Sequence, residues 1–236
     1  MTKRNGDSVV KLLSYTVVLM LLYGCGGFRG GIESVPYVGE AIPQENPSHH
    51  SWLHEIALPE VTLQLAFNNA IRTYQYEVML YVIPIYLNFW DEFRNQHADA
   101  LELSLKLTAR DSPVLADLRQ LMLIVDSQEV RPSGVWINNH ERERKVIDAF
   151  VKARRQSPPD QSPTIPRASE WRDAVTDPVT LGPGEQSPYY IVTFPLPLLS
   201  PEKNLTLNIN HAILEPRRSR PPLIRFKSIR WSEGYS

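Results

Sequence analysis

The sequence predicts a mainly β protein: an antiparallel, immunoglobulin-like β-sandwich with a short helical insertion. Three observations lead there. Apolar and polar residues alternate strictly in several short stretches, the period of a strand with one buried face. The chain holds 20 prolines against 11 glycines, and proline interrupts helix interiors and central strands, so it favours loops and edges. No strand–helix–strand rhythm is visible, which argues against a doubly wound α/β enzyme.

The first alternating stretch sets Val61, Leu63, Leu65 and Phe67 against Thr62, Gln64 and Ala66. The run YEVMLYVIPIYLNFW follows, and Pro84 divides it into two predicted strands, Glu77–Ile83 and Ile85–Phe89. The cleanest half-buried strand sets Leu101, Leu103, Leu105 and Leu107 against Glu102, Ser104, Lys106 and Thr108. Its leucines are expected to share one buried face with Val61, Leu63 and Leu65. Leu121–Val125 reads as a compact buried strand, with Val130–Ile137 as its partner after a turn. Strands resume at Tyr189–Leu196, Leu205–Ile213 and Leu223–Trp231. The Cys…Trp…Cys spacing of antibody domains is absent.

Between residues 139 and 156 the period changes. Val146, Ile147, Phe150 and Val151 fall on one helical face, behind the charged run Glu141 to Lys145. Asn139 is placed to cap this helix, and Ser157-Pro158-Pro159 to stop it. The Pro/Ser-rich stretch to Pro166 reads as an exposed loop. The apolar stripe is expected to pack against the sandwich itself. The sharper alternative is that it docks a partner, with Arg154 and Arg155 steering an acidic surface.

The N-terminus carries a different signal. Lys3, Arg4 and Lys11 precede an apolar run from Leu12 to Leu22, and Gly24 stands just before the chain's single cysteine, Cys25. A basic start, a short apolar stretch and a small residue at the cut describe a secretory signal peptide, too short to span a membrane as a helix. With the cysteine in that place, Leu22-Tyr23-Gly24-Cys25 resembles the signal of bacterial lipoproteins. The resemblance covers about the first 30 residues. It implies that Cys25 is lipidated and becomes the mature N-terminus, bearing a diacylglycerol and an amide-linked chain. One chain alone anchors only marginally. In such lipoproteins an Asp after the cysteine marks inner-membrane retention. Gly26 stands there, so the resemblance implies the outer membrane, facing the periplasm.

Gly26, Gly27, Gly30 and Gly31, then Pro36, Pro43 and Pro47 among polar residues, read as a flexible tether. The predicted organisation is therefore a signal peptide at 1–24, a lipidated cysteine and tether at 25–51, and a sandwich at 52–236. The sandwich carries its insertion at about 139–176.

Charge narrows the function. The chain has 25 basic and 26 acidic residues. Without Lys3, Arg4, Lys11 and Asp7 of the signal, 22 and 25 remain, a near-neutral balance unlike that of a nucleic-acid binder. One cysteine allows no disulfide within the chain.

The candidate chemistry is sparse. His49, His50 and His54 form a cluster with Glu55, and two histidines four apart can share a metal on a helix. A solvated cluster is the simpler reading, and no cofactor is expected. His140-Glu141 lacks the second histidine of a zinc-protease motif. No GxSxG elbow, phosphate-binding loop or GxGxxG occurs. Asp91 and Glu92, with Trp171 and Asp173, would serve a glycosidase only if the fold set them across one cleft. Arg154 and Arg155, and Arg217, Arg218 and Arg220, are basic clusters fit for an acidic partner, peptidoglycan carboxylate or a lipid phosphate, with solvated loop charge as the simpler reading. The expectation is a membrane-anchored, non-catalytic envelope lipoprotein that binds another envelope protein or serves assembly. A ligand-binding or glycan-active lipoprotein is the alternative.

Overall fold

A computed structural model describes residues 25–40, 42–43, 53–79, 83–93, 100–156, 166, 170–216 and 221–235. The signal segment 1–24, His49, His50, the 157–165 stretch and Arg217, Arg218 and Arg220 lie outside them. Among the described residues there are sixteen strands and one α-helix. In chain order they are β1 (Cys25–Tyr37), β2 (His54–Ala57), β3 (Val61–Phe67), β4 (Ile71–Met79), β5 (Ile83–Phe93), β6 (Leu101–Ala109), β7 (Val114–Ala116), β8 (Met122–Val125), β9 (Gln128–Val130) and β10 (Gly134–Asn138). The helix α1 (His140–Gln156) follows. Then come β11 (Arg172–Ala174), β12 (Val179–Leu181), β13 (Tyr190–Phe194), β14 (Leu205–Asn208), β15 (Ile213–Glu215) and β16 (Ile224–Tyr235).

The strands form a seven-stranded sheet, β5-β4-β1-β16-β14-β8-β9, a six-stranded sheet, β11-β10-β13-β6-β3-β2, and a small sheet, β12-β7-β15. The pairings are antiparallel. The mainly β antiparallel sandwich read from the sequence is the fold observed.

The core is where alternation placed it. Leu63 pairs with Leu107, Leu65 with Leu105 and Phe67 with Leu103. All six side chains are buried. From the seven-stranded sheet, Leu123, Leu205, Leu207, Ile224 and Phe226 join the same cluster. Phe67 and Phe226 touch between the sheets, with ring centroids 4.7 Å apart at 56°. The small sheet adds Val114, Ala116, Leu181 and Ile213 to the core. Beside it, Asp117 caps a single 3-10 turn, Leu118–Gln120. Its carboxylate accepts hydrogen bonds from the Arg119 backbone N–H and guanidinium. That guanidinium holds the Asp117 carboxyl below the usual carboxylate range.

Five expectations are corrected. The predicted tether is ordered from its first residue through Tyr37. Cys25–Tyr37 is β1, an interior strand paired with β4 on one side and with the last strand, β16, on the other. Its glycines serve close packing. Gly30 lies under the Tyr74 ring of β4, and Gly31 between the Ile71 carbonyl and the Trp231 ring of β16. Aromatic side chains of neighbouring strands supply the apolar contact that glycine lacks.

The second correction is a turn. The apolar run reverses between Met79 and Ile83, which pair with each other, and Pro84 lies inside β5. That strand is the edge of its sheet, where a missing N–H is tolerated, and the register shifts between Glu77 and Val78 opposite it.

Third, Val130–Ile137 is two strands. Val130 ends β9 in the first sheet, and Gly134 begins β10 in the second, with Arg131-Pro132 between them. Fourth, Leu205–Ile213 divides in the same way. Leu205–Asn208 pairs with β8, and Ile213–Glu215 with β7. A turn closed by hydrogen bonds from the Ala212 and Ile213 amides to the Ile209 carbonyl redirects the chain. The insertion also ends earlier than 176, since Arg172–Ala174 already pairs with β10.

Candidate interaction surface

The helix forms where its cap and stripe predicted it. The Asn139 side-chain oxygen accepts from the Arg142 N–H at 3.0 Å, satisfying one of the orphan donors of the first turn. Glu141 and Glu143 sit in the first turn and Arg154 and Arg155 in the last, which suits the helix dipole at both ends. Its start is fixed to the second sheet through β11. The Asn139 amide N–H donates to the Trp171 carbonyl, and its side-chain NH₂ to Asp173 at 3.0 Å. Arg142 pairs with the same carboxylate at 2.9 Å.

The stripe does not pack into the sandwich as expected. None of the helix residues is buried. Val146 and Phe150 are half-buried, while Ile147 and Val151 are 43% and 38% exposed. Arg154 and Arg155 stand exposed at its end. The reason is geometric: the described anchors hold the first turn, and the apolar residues lie beyond it.

At the base of the helix is a half-open apolar pocket of about 460 Å³, on the outer face of the second sheet. Leu53, Ile137, His140, Pro188, Tyr189 and Ile191 are among its lining residues. Tyr189 is 48% exposed, and the Lys106 ammonium lies 5.1 Å from its ring centre, a cation–π contact. Sequence reasoning missed this pocket. The available signal was phase: in β13, Tyr190, Val192 and Phe194 point inward, so Ile191 places an isoleucine where alternation calls for a polar residue.

The remaining candidates separate. His54 opens β2, with Nε2 3.6 Å from a Glu33 carboxylate oxygen. Among the described residues, no group of three or more His, Cys, Asp or Glu is placed to hold a metal. Asp91 and Glu92 fall in β5 and Asp173 in β11, edge strands of different sheets. Asp173 is already engaged by Arg142 and Asn139, so it serves to seat the helix. His211 is exposed in the turn before β15. Cys25 is the first residue of β1. Among the described residues, no helix is long and apolar enough to cross a membrane.

No protein-family model, curated protein or solved structure matches the chain. The fold and this surface define a class by themselves: an antiparallel β-sandwich presenting a capped amphipathic helix.

Proposed function

We propose that this is a lipid-anchored protein of the bacterial envelope, attached through Cys25, that binds an acidic partner protein in a structural or assembly role. The observation that carries the binding part is the uncovered stripe of α1. Ile147 and Val151, exposed on a helix whose other faces are charged, favour a protein occupant. Arg154 and Arg155, exposed on the same helix, set the sign of the partner's surface. The signal segment and the placement of Cys25 support the address.

Two measurements test the reading. The wild-type chain should partition into detergent and Cys25→Ala should not; equal partitioning refutes the anchor. A photo-crosslinking residue at Ile147, in intact cells, should give one discrete adduct. Arg154→Glu with Arg155→Glu should abolish it while circular dichroism stays unchanged. An adduct insensitive to charge reversal rejects an acidic partner.

A further inference from the structure

The position of Cys25 within the sheet assigns an orientation to the molecule, resting on the lipid-anchor reading above. We propose that the Cys25 end of the seven-stranded sheet is itself a membrane-contact surface, so that β1, β4, β5 and β16 rise end-on from the lipid. The register supports this. Cys25 pairs with Met79, and Met79 pairs with Ile83. On the next rung Gly26 pairs with Val78, and Val78 with Pro84. These two rungs, across three strands, contain no charged residue. The first charge, Glu77, comes one rung further in, opposite Gly27.

The far end of the same strand is different in kind. There Tyr37 pairs with Arg225 and Val35 with Lys227. The polarity therefore runs along β1, from an uncharged end bearing the cysteine to a charged end roughly 40 Å away. Phe28, three residues from Cys25, is 40% exposed, an aromatic residue suited to the headgroup level.

Because β1 begins at Cys25, acyl chains on that residue leave the protein on the same rung as Met79 and Ile83. A sheet end joined directly to buried acyl chains lies within the interfacial layer, and uncharged apolar residues enter that layer favourably. The occupant of this surface is lipid.

The single cysteine makes the test direct. If Cys25 is acylated, a cysteine introduced elsewhere is the only free thiol. Ile83→Cys, Phe28→Cys and Arg225→Cys would each carry an environment-sensitive fluorophore. Each acylated protein would be reconstituted into phosphatidylethanolamine–phosphatidylglycerol vesicles containing lipid with a shallow nitroxide. Quenching should fall in the order 83, 28, 225, with at least a roughly twofold loss of emission at 83 and almost none at 225. Should Ile83→Cys fail to fold, the 28-to-225 comparison still decides. Equal quenching at the two ends, or none at either, overturns the orientation. A wild-type chain with a free thiol refutes the anchor reading, and this orientation falls with it. A thiol-free wild type with equal quenching rejects the orientation alone.

Discussion

Replacing Gly31 by alanine separates a tether from a strand. In a flexible segment the change is nearly neutral, because it removes no contact and meets no neighbour. In β1 a Cβ at this position would stand 1.9 Å from the Ile71 carbonyl oxygen and 2.9 Å from the Trp231 ring. Normal van der Waals contact is about 3.5 Å, so the backbones of β1 and β4 must separate by well over an ångström. Trp231 is 2% exposed and has no room to retreat. Overpacking of this kind costs about 1–3 kcal/mol and occasionally more, and here both neighbours are rigid, so the expected loss is about 3 kcal/mol. For a domain of this size that lowers Tm by roughly 6–12 °C. Gly234→Ala is the internal control. Its Cβ meets nothing nearer than 3.4 Å, and alanine lowers the entropy of the unfolded chain, so Tm should hold or rise slightly. The assay is thermal unfolding by circular dichroism on the two variants and the parent. A Gly31→Ala chain that melts with the parent would refute the placement of β1.

Other substitutions test the core, the cap and the helix. Leu105→Ala, between buried Leu65 and Tyr190, should cost about 2–5 kcal/mol in urea unfolding. Ser104→Ala on the opposite face should stay within about 0.5 kcal/mol, and similar losses for both would show the wrong face. Asp117→Asn keeps an amide oxygen to cap the turn but removes the charge paired with Arg119, so it should lower stability modestly at neutral pH. The carboxyl is depressed in the folded state, so its stabilisation is full above the unfolded value near 3.9. It is lost as pH falls through the lower folded value. The gap between parent and variant should therefore close below about pH 4; a gap that persists at acid pH contradicts the ion pair. Val151→Asp, on the exposed stripe, should leave Tm within a degree or two, and a fall comparable to that of Leu105→Ala would mean the stripe is buried after all.

How much of this was legible depended on distance along the chain. β3 and β6 announce themselves by alternation, since each carries its own apolar face. The helix does so too, through Asn139 and the 146–151 stripe. β1 does not. Its glycines resemble linker, and the rings that cover them, Tyr74 and Trp231, belong to strands that no local window reaches. The switches between sheets at Arg131-Pro132 and at Ile209–Ala212 were hidden for a related reason: alternation gives the phase of a strand but not its partner. At the candidate surface, Arg154, Arg155 and the stripe were visible, but their exposure was not, because a helical face looks the same whether its cover is the protein's own sheet or another chain. The pocket was missed because it gathers Leu53, Ile137 and Ile191 from separate stretches of the chain.

The pairing of β1 with β16 has a consequence for how the molecule comes to be folded. Gly27 lies opposite Tyr235, so the first and last strands close a loop of roughly 200 residues. Closing a loop that long costs roughly 4–5 kcal/mol of chain entropy before any contact compensates it. Topologies dominated by such remote contacts fold slowly. During synthesis β1 emerges well before β16 and waits for it. Until that strand arrives, an interior strand of the sheet has one edge open and Trp231 is missing from its place above Gly31. The seven-stranded sheet therefore cannot be completed before Ile224–Tyr235 is available to pair, whereas the six-stranded sheet contains neither β1 nor β16 and does not depend on that step.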